Sequence, residues 1–206
     1  MGVDFRSTER DDQPVDGSGR RLGIICARWN DVITRRMLTG VWAELESAGV
    51  AADDVDLVWV PGAFEIPLAA KAMAATGRYD AVIALGCVIR GDTAHFEYVA
   101  GPAATGILQA QLDTGVPIVF GVLTVENRRQ ALVRSVVDGD VVGDNKGAEA
   151  AATALEMIQA LDAIRTSWPG ERGACSRSGP AASGAGERAD DGERRRHVER
   201  VHAGSH

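Results

Sequence analysis

The stretch AVIALG (81–86) followed by CVIRGDTAHFEY (87–98) decides the fold of this chain. AVIALG is a short, continuous apolar run closed by glycine, the pattern of a strand buried on both faces. Beyond it lie turn residues, and then a helical pattern from roughly Ala94 to Leu112. A buried strand feeding directly into a helix is half of a crossover unit. The same signature recurs on either side. Arg21–Ala27 (RLGIICA), Val55–Val60 (VDLVWV) and Val116–Val122 (VPIVFGV) are similar runs. Between and after them Ile33, Met37, Val41 and Leu45 recur every four residues, with Asp31 placed to start that helix and Gly49 to stop it. Further helices are expected over Ile66–Ala75, Arg128–Val137 and Ala148–Ile164.

Strand and helix in strict alternation imply right-handed crossovers and a parallel sheet covered on both sides. The expected fold class is therefore α/β, a flavodoxin-like three-layer sandwich on a four-stranded parallel sheet. In such sheets ligands bind beyond the carboxyl ends of the strands, which directs attention to the segments after each apolar run.

Composition bounds the rest. A chain of 206 residues with 45% hydrophobic content supports one ordinary domain with tails. A formal charge of −7 argues against a nucleic-acid partner. No apolar run approaches the roughly 20 residues of a membrane helix. Cys26, Cys87 and Cys175 have no metal-ligand spacing, and two sit in apolar runs, which suits a reducing, cytoplasmic setting. The polar, acidic segment 1–19 is expected to be a disordered extension without signal or transit character. Residues 20–165 are expected to form the domain, and the Gly/Ser/Arg-rich stretch 166–206 a disordered tail. His197, His202 and His206 lie in that tail, where an irregular polar tract outweighs a metal site.

After the first strand comes Arg28-Trp29-Asn30; Trp29 reads as a core tryptophan or as a flat face for a heterocycle. After the second, Gly62 and Ala63 permit close approach to the backbone, and Phe64 leads to Glu65. Glu65 serves equally as a helix-start acid or as an acceptor for ligand hydroxyls. After the third, Gly91 supplies a permissive turn and Asp92 or Thr93 a helix cap, so that free N–H groups form an anion site, though the Asp92 carboxylate opposes a phosphate. His95 falls in the first helical turn, where the positive helix end disfavours imidazolium. A structural histidine and a proton-transferring one both fit. Phe120 and Arg134 follow in the fourth strand and beyond it. Lys146, at a helix start, runs against the dipole, as a functional or merely solvated charge. Sequences for dinucleotide, P-loop and serine-hydrolase chemistry are missing.

Taken in order, RWN (28–30), PGAFEIP (61–67), GCVIRGDTAHFEYV (86–99), FGVLT (120–124), QALVR (130–134) and NKGAEAA (145–151) resemble the lumazine synthase family across roughly residues 20–165. The resemblance implies condensation of 5-amino-6-(D-ribitylamino)uracil with 3,4-dihydroxy-2-butanone 4-phosphate to 6,7-dimethyl-8-ribityllumazine, without cofactor or metal. It implies that Trp29 stacks on the pyrimidine in place of the family's usual Phe. Ala63, Phe64 and Glu65 would hold the pyrimidine and its ribityl chain, and Cys87, Val88 and Ile89 would contact it through backbone. Asp92 and Thr93 match the phosphate turn, which grips through N–H groups, and His95 the proton-transferring histidine. Phe120 and Arg134 match residues lent by the neighbouring subunit of a homopentamer, with Lys146 near the same region. The rival reading is a non-catalytic lumazine- or flavin-binding paralogue. Ser135–Asp144 (SVVDGDVVGD) is a few residues longer than the family's usual kink. Such lengthening goes with pentamers that do not close into shells, so a free pentamer, or at most a pair, is expected.

Overall fold

The computed structural model describes residues 15–137 and 143–167. Four strands, β1 (Leu22–Ala27), β2 (Val55–Val60), β3 (Ala81–Ile89) and β4 (Ile118–Val125), form one all-parallel sheet in the order β2-β1-β3-β4. Five helices, α1 (Asp31–Ser47), α2 (Ile66–Ala74), α3 (His95–Thr114), α4 (Arg128–Leu132) and α5 (Lys146–Ser167), complete the three-layer flavodoxin-like sandwich.

Alternating strand residues feed two cores. Leu22, Ile24, Ile83 and Leu85 pack with Met37 and Val41 of α1 and with Ala151 and Leu155 of α5. Ile25, Val82 and Ala84 pack on the other face with Ile66 and Ala70 of α2 and with Ala103 and Ile107 on the α3 side. β1 is buried throughout and β3 as far as Val88, but β2 and β4 are edges. Val58 and Phe120 are exposed, so burial on both faces holds only for the two inner strands.

Several boundaries shift. β3 runs past Gly86 to Ile89, because the glycine sits inside the strand, crowded by Ile66 and Val122. β4 begins at Ile118 and continues through Leu123, Thr124 and Val125. Pro117 has no N–H for a ladder and contributes only its carbonyl, to Val82 N–H. The helix expected over 128–137 stops at Leu132. Ser135 instead forms an antiparallel bridge with Asn145, and Val136 N–H donates to Asp144 O. At the other end α5 continues to Ser167, past the expected boundary at 165. Residues 15–19, expected in the extension, are described: Gly17 N–H donates to Ala48 O at 2.8 Å and its Cα lies against Val50 and Leu155. The expectations for 1–14, for 168–206 and for the centre of the long kink, 138–142, fall outside the described residues.

Asn145 joins distant parts of this frame. Its Oδ1 accepts from Gly147 N–H at 2.9 Å and Ala148 N–H at 3.3 Å, capping α5. Its Nδ2 donates to Arg36 O of α1 at 3.0 Å and Val136 O at 2.8 Å. Glycines make the approach possible, since a side chain at Gly40 would strike Asn145 and one at Gly147 would strike the Met37 backbone. Asn145→Ala is expected to destabilise the protein by about 2 kcal/mol, from the lost cap and two stranded carbonyls. Asn145→Asp, which keeps the cap, should fall between the two in urea denaturation midpoint.

Candidate active site

The sheet order fixes where a ligand crevice opens. From β1 the chain leaves toward β2 on one side and from β3 toward β4 on the other, so the connections diverge between β1 and β3. That divergence is the topological switch point at which open α/β sheets bind ligands. β3 also outruns its inner neighbour. Its pairing with β1 ends at Leu85, whereas its pairing with β4 continues to Ile89 opposite Val125. Cys87, Val88 and Ile89 therefore present one edge of backbone to the crevice instead of to a strand. Within that edge the Cys87 carbonyl accepts from Asn30 Nδ2 at 2.8 Å.

The first loop is locked to the second. Arg28 N–H donates to Val60 O at 2.9 Å and Trp29 N–H to Pro61 O at 3.1 Å, carrying the β1–β2 pairing past the strand ends. Asn30 then takes the left-handed conformation, φ 63°, at the N-cap of α1. Asparagine tolerates this better than most residues. Its side chain makes no cap and spans to Cys87 instead, and α1 opens as expected with Asp31 in its first turn. Trp29 is 75% exposed, which excludes the core reading of this residue.

In the second loop Ala63 is buried, and Phe64 and Glu65 are exposed beside it. Gly62 is extended at φ −151°, a conformation open to any residue. What glycine supplies here is room, since an added Cβ would lie 3.1 Å from Glu65 Oε2. Gly91 likewise has open space around it and no left-handed backbone, so the permissive turn expected there is not required. Neither Asp92 nor Thr93 caps α3, whose N-cap is Ala94. Thr93 Oγ1 accepts weakly from His95 N–H at 3.4 Å. Among the described residues the N–H groups of Gly91, Asp92, Thr93 and Ala94 find no acceptor within the chain, and together they suit an oxyanion. His95 opens α3 with its imidazole exposed at this turn.

Phe120, Arg134 and Lys146 stand elsewhere. They line a groove of about 460 Å³ along β4, with Glu149 and Thr153 of α5. The register puts Phe120 opposite Ala84, five residues short of Val125, which faces Ile89. At ~3.3 Å per residue Phe120 lies about 16 Å back along the sheet from the tip of β3. Phe120 thus stands well back from the turn that bears His95. In the groove Lys146 Nζ binds Asp144 and Glu149, each at 2.7 Å. Burial, the largest single influence, draws its pKa down, but the two hydrogen bonds and the carboxylate charges outweigh it and leave the ammonium more basic than usual. Lys146 is therefore neither a simply solvated cation nor an uncommitted one. Among the described residues no group of His, Cys, Asp and Glu is placed to hold a metal, and no helix is long and apolar enough to cross a membrane.

Sequence reasoning did not single out Asn30 or Arg90, because their partners are distant carbonyls and carboxylates that no local pattern encodes. Cys87 acts through its backbone. Burial pushes its thiol up to about 11 and that of Cys26 up to about 12, so both stay protonated and unreactive. At pH 8 about one Cys87 in a thousand is thiolate. Iodoacetamide at that pH should leave the peptides bearing Cys26 and Cys87 unmodified in the folded protein and modify both after denaturation, as read by peptide mass.

The strand-end loops, the β4 groove and α5 as far as Asp162 fall within residues 19–162, which match the family model described as 6,7-dimethyl-8-ribityllumazine synthase, and the chain belongs to that family.

Proposed function

We propose that this protein condenses 5-amino-6-(D-ribitylamino)uracil with 3,4-dihydroxy-2-butanone 4-phosphate to 6,7-dimethyl-8-ribityllumazine, releasing phosphate and water, the penultimate step of riboflavin formation. One observation carries the reading. In a chain of this family, an exposed tryptophan, an unpaired strand edge and an N–H-rich turn with a histidine converge on one switch-point crevice. In this reading Trp29 stacks on the pyrimidine, and the Cys87–Ile89 backbone hydrogen-bonds its polar edge. Ala63 and Phe64 form the wall, and Glu65 accepts from ribityl hydroxyls. Asp92 and Thr93 offer N–H groups to the phosphate, with the Asp92 carboxylate turned away.

The chemistry asks little beyond placement and proton transfer. The arylamine attacks the ketone carbonyl, and loss of water gives an imine. Elimination of phosphate and closure of the second nitrogen onto the remaining carbonyl, with loss of a second water, complete the ring. Holding two reactive molecules together supplies on the order of 7–11 kcal/mol at best. His95 adds roughly 10²–10⁴-fold as acid and base. Positioning therefore dominates and His95 assists. No cofactor enters any of these steps.

The position of Phe120 motivates an assembly. Phe120 lies well back from the tip of β3 and shares the β4 groove with Arg134, so in this reading the site is built from Phe120 and Arg134 of one subunit and His95 of the next, in a homopentamer. Leu68, Leu108 and Leu112 are exposed apolar residues on α2 and α3 that such packing would cover. The catalytic domain is 20–165, with 15–19 packed onto it, and its buried free thiols suit a cytoplasmic setting. The longer kink at 135–144 keeps the assembly at a free pentamer or a pair.

Mixing both substrates should give the product's absorbance and fluorescence; tight pyrimidine binding with no turnover would establish the non-catalytic paralogue instead. His95→Ala should lower kcat by about 10²–10⁴-fold with both substrates still bound, and total loss of turnover with normal binding would reverse the ranking of positioning over proton transfer. Refolding inactive Arg134→Ala chains together with His95→Ala chains in equal amounts should restore about one site in four, one half times one half for random neighbours. No restoration would place both residues in a site of a single chain. Light scattering should report particles of one or two pentamers, and hollow spheres by electron microscopy would refute that assembly.

A further inference from the structure

Arg90 stands one residue beyond β3, between that strand and the turn that leads to His95. Its side chain is committed three ways. Nη1 donates to Glu97 Oε1, Nε donates to Glu126 Oε2 at 2.8 Å, and Cζ lies 4.2 Å from the centre of the Phe96 ring. Its own N–H donates to Val125 O at 2.9 Å. Phe96 and Glu97 are the two residues after His95 in the first turn of α3, and Glu126 is the residue after β4. One guanidinium thus ties the ends of two strands to the helix turn that bears the histidine.

Two carboxylates against one cation leave this cluster net negative, so Arg90 is not itself an anion ligand. The hydrogen bonds with Glu97, and then with Glu126, raise the basicity of Arg90, and the Arg90 hydrogen bond holds the Glu97 carboxyl below its usual range. Neither exposed pair adds much to global stability. What they fix is geometry: the pitch at which the chain leaves β3, crosses residues 91–94 and enters α3. A planar fork that also stacks on a ring performs all three contacts, and a lysine ammonium cannot.

We propose that Arg90 is a positioning residue that braces the 91–94 turn and His95 against the ends of β3 and β4. The proposal rests on the reaction assigned above and sharpens it, because small misplacements of reacting groups cost rate out of proportion to stability. Arg90→Gln should raise KM for the phosphorylated butanone about tenfold and lower kcat about tenfold. KM for the pyrimidine amine should stay within about twofold and the melting temperature within a few degrees. Arg90→Lys should recover little of the loss. Glu126→Gln, which removes one arm only, should show a smaller shift of the same kind and serves if Arg90→Gln does not fold. Amide hydrogen exchange gives a readout independent of turnover: residues 91–97 should exchange faster in Arg90→Gln while residues 82–85 of β3 remain as protected as before. Unchanged exchange at 91–97, or faster exchange throughout the fold with both KM values unmoved, would overturn the brace. A wild-type protein that makes no product would refute the assigned reaction, and the exchange comparison would still decide the role of Arg90.

Discussion

The carboxyl end of β3 is the constraint on which the rest depends. An inner strand of a parallel sheet normally has both edges satisfied. Here β3 keeps β4 through Ile89 but loses β1 beyond Leu85. Exposed backbone in a crevice must find water, a ligand or a side chain. Asn30 answers part of that demand by donating to Cys87 O, and to do so it takes up a left-handed conformation that most residues would resist. The edge that remains open is a strip of donors and acceptors of the kind a flat heterocycle with polar edges requires. The strained residue and the open edge belong to one feature, and Trp29 is its neighbour in sequence.

Around that edge the structure separates rigid support from exposed function. Thr34, fully buried in α1, donates to Ala27 O at 2.9 Å and fixes the helix against the end of β1. Arg28 and Trp29 are zipped to β2's exit through their N–H groups. On the other side Arg90 joins β3, α3 and β4. Every loop at this end is tethered to another, while the side chains assigned to substrate, Trp29, Phe64, Glu65 and His95, remain exposed on the tethered backbone. A surface arranged in this way has already met much of the ordering cost that binding would otherwise incur.

The fold was legible because its signals are local. Short buried runs alternating with four-residue periodicity prescribe a parallel sheet, and the inner strands follow the prescription closely. Errors gathered where distant residues decide. Gly86 looks like a strand terminator until Ile66 and Val122 are seen packed over it. Arg128–Val137 has helical character, but Ser135 finds a partner in Asn145, and the tertiary pairing overrides propensity. Asp31 does open α1 as its first-turn acid, while the αL residue before it, which no local pattern announced, sets the entry. At the site, residue types directed attention to the strand ends, and the family motifs named the residues. The braces, Asn30 and Arg90, were illegible because Asn30 reaches Cys87 and Arg90 reaches Glu126, partners that no local pattern announces.

The position of Phe120 bears on why a chain of this design associates. An edge strand that carries an exposed aromatic ring beside a groove, with a bare arginine-bearing turn at its end, is poorly protected in isolation. Polar cover would have blunted it. Instead α5 supplies Lys146, held between Asp144 and Glu149, so the groove presents an apolar floor and a paired, net-negative rim alongside the Arg134 cation. Paired charges lose less on desolvation than free ones do, and the net-negative rim with the Arg134 cation beside it is suited to meeting another polar protein surface. The other cluster, at the switch point, offers N–H groups and an imidazole suited to an anion, while Arg90 beside it is already held by Glu97 and Glu126. Bringing Arg134 of one copy to the 91–95 turn of another would satisfy both surfaces at once. If the proposed reaction and assembly hold, both would follow from the same division of residues between the tip of β3 and the edge of β4.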